Sequence, residues 1–536
     1  MSNYIRLWHT VKYLKFKQIY FRIYYLLRSK LRKIFYLKSK IWIDKKGTSL
    51  YFIEGIFPVS RFYSKKNKFK FLNHSIDFQS KIDWNYNKYG KLWTYNLNYF
   101  DYLNQEDMDK EEGLFLINEY ISNIEDNIYD GLDPFPISLR GINWIKFLTK
   151  HYIYESYIDE SLYAQYMILL DKLEYHLLGN HLLENAFSLL FGGYYFNDNI
   201  LLTKANKILS EELDEQILDD GSHYELSPMY HQIMLYRILD CINLMQNNTI
   251  YDQRLFNLLT KKASIMLSWL EYMTFNNGDI PLLNDSAKVV APDSKQLFNY
   301  ASKLNIIKKD QLPLKESGYR SITKSTYECI VDVGNIGPDY IPGHAHADTF
   351  HFILYYNNEP FIVDTGTSTY ESNDRREIER STYAHNTVVV NKTNQSNVWG
   401  AFRVAKRAKI IQLNETEQKI QAVHDGYRDL GIFHERTFLF YDDELIIQDR
   451  LNKPSEKSTA YIHFHPNVTL KIKDSVVFTD HVSIYFENMK NIEIKEYLYS
   501  DEFNLLQKAF YIEISFNTSL STKISLKKKS SLDENN

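Results

Sequence analysis

The chain has 536 residues, of which 44% are hydrophobic, and this predicts two large domains with sizeable apolar cores. A net charge of -4 gives no overall basic character, which argues against nucleic acid as a partner. No stretch of about 18 residues is free of charge, so no membrane-spanning helix is predicted. The two cysteines cannot form a disulfide scaffold, and each lies in an apolar run, which favours buried free thiols.

The first 40 residues form a basic segment that is rich in aromatic side chains. They contain 11 Lys or Arg and no Asp or Glu, and the charges interrupt every apolar stretch, unlike a secretory signal peptide. Such a segment could lie on an anionic membrane surface or pack as a helical arm on the first domain. We predict an arm over residues 1–50, with the protein in the cytoplasm or at the inner membrane and the periplasm as the alternative.

From about residue 100 to 310 the apolar residues recur at three- and four-residue spacing, which predicts helices. Residues 113–124 and 232–244 are clear examples. Short breaks separate segments of similar length, so we expect stacked antiparallel helix hairpins. The predicted helical domain covers residues 51–315.

From about Gly318 onward the apolar period changes to two, which predicts strands. Strands without intervening helices favour an antiparallel sandwich over an α/β sheet. We therefore predict a β-sandwich over residues 316–526 and a disordered tail at 527–536. The fold class is a multidomain α+β protein. The clearest strand patterns lie at 328–333, 387–390, 437–441 and 444–448.

The strand half carries side chains that commonly bind metals. His344 and His346 are two residues apart, so in a strand both rings lie on one face. Asp364 and His385 lie on later apolar runs. Two His and one Asp from different strands make a plausible metal site, and the remaining His is then a candidate acid or base. The alternative is a cluster of structural histidines.

The helical half contains two further motifs. His181 and Glu184 share one face of a predicted helix at a spacing of three. Ser227 is a predicted N-cap, which places Tyr230 in the first turn of a helix, at a rim where ligands are met. Each motif has a structural alternative, with Asn180 as a helix-end residue and Tyr230 as a half-buried aromatic.

Taken together, these motifs resemble the heparinase II/III-like polysaccharide lyases, which are related to alginate and oligoalginate lyases. The resemblance covers most of the chain, and it implies an N-terminal (α/α) toroid followed by a C-terminal antiparallel β-sandwich. This agrees with the observed change of period. The matching segments are Trp93–Tyr102, Asn180–Asn185, Asp220–His231, Gly343–Asp348, Val363–Gly366 and Arg380–Thr387.

The resemblance implies β-elimination at a uronic acid of an acidic polysaccharide, in which a proton leaves C5 and the glycosidic oxygen leaves C4. Asn180 and His181 match positions that neutralise the uronate carboxylate, and Glu184 would hold His181 in its protonated or correctly oriented form. Tyr230 matches the catalytic tyrosine, whose pKa would have to be lowered by nearby positive charge unless it acts concertedly. His344 matches its partner on the opposite face of the sugar. His344 would be the base in anti elimination, while Tyr230 would serve as both base and acid in syn elimination.

The resemblance also implies a structural zinc ion that fixes the loop carrying His344. Its ligands would be His346, Asp364 and His385. Three arginines are candidates for binding the acidic chain, and each could equally form a surface ion pair. They are Arg140, Arg380 and Arg403.

Two other functions are compatible with the residues. A glycoside hydrolase on the same helical fold would use a carboxylate pair, which leaves the histidines and Tyr230 without roles. A non-catalytic protein of capsule or surface-polysaccharide assembly would keep the fold, but the occupied catalytic positions argue against it. The basic arm favours polymer trimming during synthesis over nutrient breakdown. The candidate carboxylates for hydrolysis are Glu184, Asp219, Asp220 and Glu225.

Overall fold

The computed structural model describes residues 3–57, 62–65, 67–124, 129–310, 314–455 and 457–526. The predicted tail at 527–536 lies outside these ranges. The described chain begins with two arm helices and a small antiparallel sheet. These elements are α1 (Asn3–Val11), α2 (Phe16–Ile34), β1 (Tyr63–Ser64), β2 (Lys68–Phe71) and β3 (His74–Asp77).

A helical domain follows, and its helices begin where the sequence supplies side-chain caps. Asp109, Asp198, Asp252 and Asp293 each accept a backbone N–H of the first helical turn. Successive helices joined by short connections pack against each other. The helices are α3 (Lys91–Tyr99), α4 (Lys110–Ser122), α5 (Pro134–Lys150), α6 (Ser156–Asp171), α7 (Gly179–Tyr195), α8 (Asn199–Gln216), α9 (Pro228–Gln246), α10 (Gln253–Tyr272) and α11 (Ser294–Lys303).

Antiparallel sheets make up the rest of the described chain. A four-stranded sheet has the order β4 (Tyr319–Thr323), β5 (Tyr327–Asp332), β6 (Phe352–Tyr356), β7 (Glu359–Ile362). The short helix α12 (Asp374–Glu379) follows. The remaining strands are β8 (Val388–Val390), β9 (Val398–Trp399), β10 (Arg403–Val404), β11 (Ile410–Thr416), β12 (Lys419–His424), β13 (His434–Phe440), β14 (Glu444–Leu451), β15 (Ser458–His463), β16 (Lys471–Lys473), β17 (Val476–Phe478), β18 (Ser483–Tyr499) and β19 (Gln507–Ser525).

The larger sheet has the order β11-β12-β13-β14-β19-β18-β17-β16, and β15 pairs with both β19 and β8. Strands β9 and β10 form a separate hairpin. The predicted fold class is therefore confirmed, with helices in the N-terminal half and an antiparallel β-sandwich in the C-terminal half. Among the described residues, no helix combines the length and apolar character needed to cross a membrane.

The four-stranded sheet is buried on both faces, which explains why every residue of β5 and β6 is buried. Val331 and Leu354 face the larger sheet and share its apolar core. Ile330 and Tyr355 face the helical domain, where the ring of Tyr355 stacks on Phe275 with centroids 3.8 Å apart. The two domains are therefore joined by an apolar cluster between this sheet and the helical domain.

The arm packs on both domains through one face. On α2, Phe21 stacks on Tyr175 with ring centroids 4.6 Å apart, and the buried Gln18 donates to backbone oxygens of the helical domain and of the sandwich half. Thr10 on α1 accepts a hydrogen bond from Trp399 in the β9–β10 hairpin. These contacts match the packed-arm alternative. The opposite face of α2 is exposed, with Phe16 at 81% and Ile34 at 65%.

Candidate active site

A cleft with a volume of about 630 Å³ lies between the helical domain and the sandwich. Its floor includes Asn180 at the start of α7 and Tyr230 at the start of α9, and Tyr370 of the sandwich half closes one side. Aromatic side chains supply much of the wall, which suits contact with the flat faces of sugar rings. They include Tyr99, Phe135, Tyr236 and Phe503.

Tyr230 is positioned by the helix cap that the sequence predicts. The Ser227 hydroxyl accepts the Tyr230 backbone N–H at 3.2 Å, and the Tyr230 hydroxyl lies 3.3 Å from that of Tyr370. Burial raises the pKa of Tyr230 above its usual value, and the carboxylates of Asp285 and Glu225 raise it further. The prediction that positive charge lowers this pKa is therefore wrong. A phenol that keeps its proton is suited to donate it.

His344 reaches Tyr230 from the loop before β6, so the two halves of the chain meet here. The two rings stack with centroids 4.0 Å apart. The His344 Nδ1 atom lies 2.9 Å from Asp285 Oδ2, and its Nε2 atom lies 3.5 Å from both Asn180 Nδ2 and Glu225 Oε2. Because a carboxylate only accepts hydrogen bonds, Asp285 fixes the proton on Nδ1, and the Nε2 lone pair then faces the Asn180 amide.

Asp285 holds His344 in place, and its role was not predicted from the sequence. It is fully buried and accepts hydrogen bonds from His344, His346 and both terminal nitrogens of Arg376. Although burial opposes ionisation, the Arg376 guanidinium holds the pKa of Asp285 well below its usual range. Asp285 lies in an irregular loop after Leu283, where no periodic pattern marks it.

The expected placement of His344 across the sugar from Tyr230 is not found in this conformation. Rings 4.0 Å apart are in direct contact, whereas an intervening sugar ring needs about 7 Å, two successive van der Waals distances. Among the described residues that line the cleft, Tyr230 is present and His344 is not. The hydrogen bond to Asp285 holds the His344 ring in contact with Tyr230.

Asn180 is fixed at the entrance of α7 by a single carboxylate. Glu225 accepts its backbone N–H at 3.1 Å and its side-chain amide at 2.9 Å. The preceding Gly179 has φ +61°, and a Cβ there would lie 2.8 Å from Glu225 Oε1, so glycine is needed for this approach. The amide of Asn180 is therefore presented to the cleft in one orientation.

His181 is held by Glu174, and the prediction that Glu184 holds it is wrong. The His181 Nδ1 atom lies 3.0 Å from Glu174 Oε1, and Asn185 donates to the other Glu174 oxygen at 2.9 Å. Glu184 instead accepts Arg237 Nε at 3.1 Å, because its side chain points into the helical domain while His181 stays at the rim, 34% exposed. Against the effect of burial, Glu174 raises the pKa of His181.

Two of the three predicted substrate arginines are structural. Arg140 is fully buried and donates to Gln165 and to two backbone oxygens, and Arg380 is fully buried and donates to the backbone oxygen of Ala345. Neither presents a charge to solvent, so these predictions are wrong. Arg403 is exposed, and its guanidinium lies 4.6 Å from the Trp399 ring in the β9–β10 hairpin, outside the described lining of the cleft.

Two lysines of the cleft were not predicted from the sequence. Lys70 and Lys288 both line it, and Lys288 pairs with Asp279 at 3.2 Å. Lys70 forms no ion pair with any residue that the structure describes. Its signal in the sequence is weak, because it is one of many lysines and lies on a short strand. Lys70 is the better candidate for contacting an acidic chain.

A buried group of metal-ligating side chains lies behind the cleft. Ligand atoms of His351, Asp364 and His385 all lie within 4.8 Å of one another, and each residue is buried. Sequence analysis assigned His346 in place of His351. His346 Nε2 instead lies 2.9 Å from Asp285, although its ring centroid is 5.3 Å from that of His385.

Several buried ring nitrogens in and around this group have no hydrogen-bond partner among the described residues. They include His351 Nε2, His385 Nε2 and His346 Nδ1. Against burial, the two histidines of the group lower the pKa of Asp364, so the carboxylate is ionised. An ionised carboxylate beside unpartnered imidazole nitrogens is the donor set that a zinc ion accepts. The residues therefore fit a metal.

Comparison with known proteins agrees with this arrangement. A family model described as "Heparinase II/III N-terminus" matches residues 143–311, and one described as "Heparinase II/III-like, C-terminal" matches residues 307–527, together more than half of the chain. A heparin-sulfate lyase of Bacteroides stercoris is 22% identical over 322 residues, which cover 54% of this chain and 46% of that protein. A heparin-sulfate lyase of Bacteroides thetaiotaomicron is 24% identical over 314 residues, covering 50% and 43%.

The alignments therefore span about half the length of these curated relatives. Among solved structures, the crystal structure of heparinase III superposes with a TM-score of 0.66 at 18% identity, covering 85% of this chain and 81% of that one. This similarity extends across both domains and shows the same fold.

Proposed function

The chain belongs to the heparinase II/III-like family, and on that premise we propose that it is a polysaccharide lyase. Its substrate would be an acidic polysaccharide, cleaved by β-elimination at a uronic acid. The observation that carries the proposal is the contact of Tyr230 with His344 at the cleft, next to the Asn180 amide. This arrangement combines an acid, a base and a donor for the substrate carboxylate.

The first requirement of the reaction is a neutralised carboxylate, because the electrons released from C5 spread onto it. The amide of Asn180 would donate to one carboxylate oxygen. His181 would supply positive charge, since Glu174 raises its pKa and favours the protonated ring. A preorganised donor at such a position is worth about 3 kcal/mol.

The proton transfers then follow from the two stacked rings. His344 Nε2 lies 3.5 Å from the Asn180 amide, so it would stand next to C5, which bears the carboxylate, and would take the C5 proton. The C4–O bond breaks as the C4–C5 double bond forms, and Tyr230 would give its proton to the departing oxygen. Asp285 and Glu225 would stabilise the imidazolium that results. Because the two rings are in contact, both groups would act from one side of the sugar, and the elimination would be syn.

Zinc is proposed as a structural ion held by His351, Asp364 and His385, with His346 next to them. When bound, it would link the start of β6, the end of β7 and the segment after α12. The chain's own residues would perform the chemistry, because His351, Asp364 and His385 are buried and do not line the cleft.

A glycoside hydrolase is less well supported, because the candidate carboxylates have other partners. Glu184 pairs with Arg237, Glu225 binds Asn180, and Asp220 accepts hydrogen bonds from Ser317. The test is to incubate the protein with heparan-, alginate- and capsule-type uronans and to follow ultraviolet absorbance. A lyase leaves an unsaturated uronate that absorbs, whereas cleavage without new absorbance would show a hydrolase. Saturable binding without any cleavage would show a non-catalytic glycan-binding protein.

The exposed face of α2 supports a second proposal, that the arm lies on an anionic membrane at the cytoplasmic side. Phe16, Ile23, Leu27 and Ile34 are exposed, next to the basic residues of a segment, residues 1–40, that contains no Asp or Glu. Such a position would suit trimming of a polymer during synthesis. The wild-type protein should sediment with vesicles rich in phosphatidylglycerol but not with neutral vesicles, and a Leu27→Glu variant should stay in solution. Equal recovery of both proteins would contradict this.

A further inference from the structure

A second cavity, which we call the arm groove, lies between α2 and the mouth of the helical domain. Its volume is about 980 Å³, and α2 with the segment after it forms one wall. The opposite wall comes from α3, the start of α5 and the segment before α7. Seven basic residues line it, against the two acidic residues Asp133 and Glu174. The basic residues are Arg22, Arg28, Arg32, Lys33, Lys38, Lys91 and Lys172.

Of the two acidic residues of the arm groove, only Asp133 pairs with one of its basic residues, Lys91. Glu174 is bound to His181 and Asn185. Asp133 accepts hydrogen bonds from Tyr95 at 2.8 Å and from Lys91 at 3.1 Å. Both acidic residues therefore have partners in the helical domain.

Three lysines of the arm groove carry unpaired charge. Lys33, Lys38 and Lys172 form no ion pair with any residue in the described ranges. Arg28 and Arg32 share one carboxylate, that of Asp171. Burial lowers the pKa of Lys172, and the nearby carboxylates of Asp133 and Asp171 oppose this effect.

The arm groove lies next to the active-site cleft, because successive residues of the same elements line the two cavities. On α3, Lys91 and Tyr95 line the arm groove, while Leu92 and Asn96 line the cleft. At the start of α5, Pro134 lines the groove and Phe135 lines the cleft.

The arm groove approaches the cleft at the end that would bind the uronate carboxylate. Glu174 of the arm groove holds His181, whose ring packs 4.7 Å from that of Phe135. An acidic chain that leaves the cleft past His181 would therefore enter the arm groove. The α2 wall precedes residue 143, so it lies outside both family models, and the groove is a feature that the arm adds.

We propose that the arm groove binds a further stretch of the acidic polysaccharide, several sugar residues away from the uronate that reacts. This inference rests on the proposed function for the identity of the polymer. The positive charge of the groove suits a polyanion. Its position next to the cleft favours an extended chain, which could occupy both cavities, over a small anion. The arm would then favour long chains over short ones by holding a non-reacting part of the substrate.

The test removes the three unpaired charges by Lys33→Gln, Lys38→Gln and Lys172→Gln in one full-length variant. The matched control is Lys12→Gln, Lys30→Gln and Lys40→Gln, which removes three arm charges that do not line the groove. Binding of heparan sulfate and of alginate chains is measured by titration in a Tyr230→Phe background, so that cleavage does not interfere. We expect the groove variant to lose about tenfold in affinity for at least one long chain, with a weaker salt dependence, and the control to lose much less.

Turnover separates this inference from the proposed function. With Tyr230 intact, the groove variant should show a raised KM on a long uronan and an unchanged rate on its tetrasaccharide. If the groove variant cleaves the long uronan with the same KM as the control, the inference about the groove is overturned and the proposed lyase function is not. If the wild-type protein binds long chains through the three lysines but cleaves none of them, the groove binds polysaccharide and the proposed lyase function is refuted. If the groove variant no longer binds anionic vesicles but binds glycan chains as the control does, the groove binds a membrane surface and not the polysaccharide.

Discussion

Tyr230→Phe deletes one oxygen from the cleft and leaves the ring and its contact with His344 in place. In the described residues, the hydroxyl has a single hydrogen-bond partner, the Tyr370 hydroxyl at a long 3.3 Å. The net value of such a bond is about 0.5 to 1.5 kcal/mol, and the lower end applies because both residues line a cleft that admits water. The expected change in Tm is therefore about 2 to 4 °C or less.

The effect on catalysis should be much larger, because the same oxygen carries the proton for the leaving group. Loss of a general acid costs about 100- to 10,000-fold in rate, which corresponds to about 2.7 to 5.5 kcal/mol in the barrier. The assay is the initial rate of ultraviolet absorbance on a cleaved uronan. Tyr370→Phe is the matched control, since it removes the same hydrogen bond but not the proton donor, and it should lose less than about tenfold. A folded Tyr230→Phe enzyme with near-normal turnover would refute Tyr230 as the acid.

Three further substitutions test the groups behind the cleft. Asp285→Asn leaves the buried Arg376 without its carboxylate, so denaturant unfolding should show a loss of about 3 to 5 kcal/mol together with lost turnover; an unchanged midpoint would contradict this. Glu174→Gln removes the carboxylate that raises the pKa of His181, so the ring loses its proton at lower pH and the alkaline limb of kcat/KM should move to lower pH. An unmoved limb would show that His181 acts without its charge. Asp364→Ala should lower both bound zinc, measured by elemental analysis, and Tm, and wild-type protein purified without chelators but free of zinc would argue against the metal.

Local patterns in the sequence predict much of the fold and part of the site. The apolar period separates the helical half from the strand half, and Ser227 predicts the cap that positions Tyr230. Asn180 likewise lies at the start of its helix, as its motif indicates. Each of these features depends on residues within a few positions of one another, so a sequence displays them directly.

The partners of these residues could not be predicted in the same way. Asp285 and His344 are 59 residues apart, and their contact depends on how two loops meet between the domains. The partner of His181 is Glu174 and not Glu184, because the chain folds back before α7. Residue spacing within a helix cannot predict that contact. Arg140 shows a related limit, since its charge suggests a surface position while its side chain is fully buried.

The four-stranded sheet at the centre of the molecule has a consequence for how the protein unfolds. Each half of the chain has an apolar core of its own, and a third cluster, on one face of this sheet, joins the two halves. Separating the halves would expose side chains such as Trp269, Phe275 and Tyr355, each worth about 1.5 to 3 kcal/mol of burial. Calorimetry should therefore show one cooperative melting transition, and a chimaera that exchanges a single domain with a relative would have to carry the matching interface residues with it.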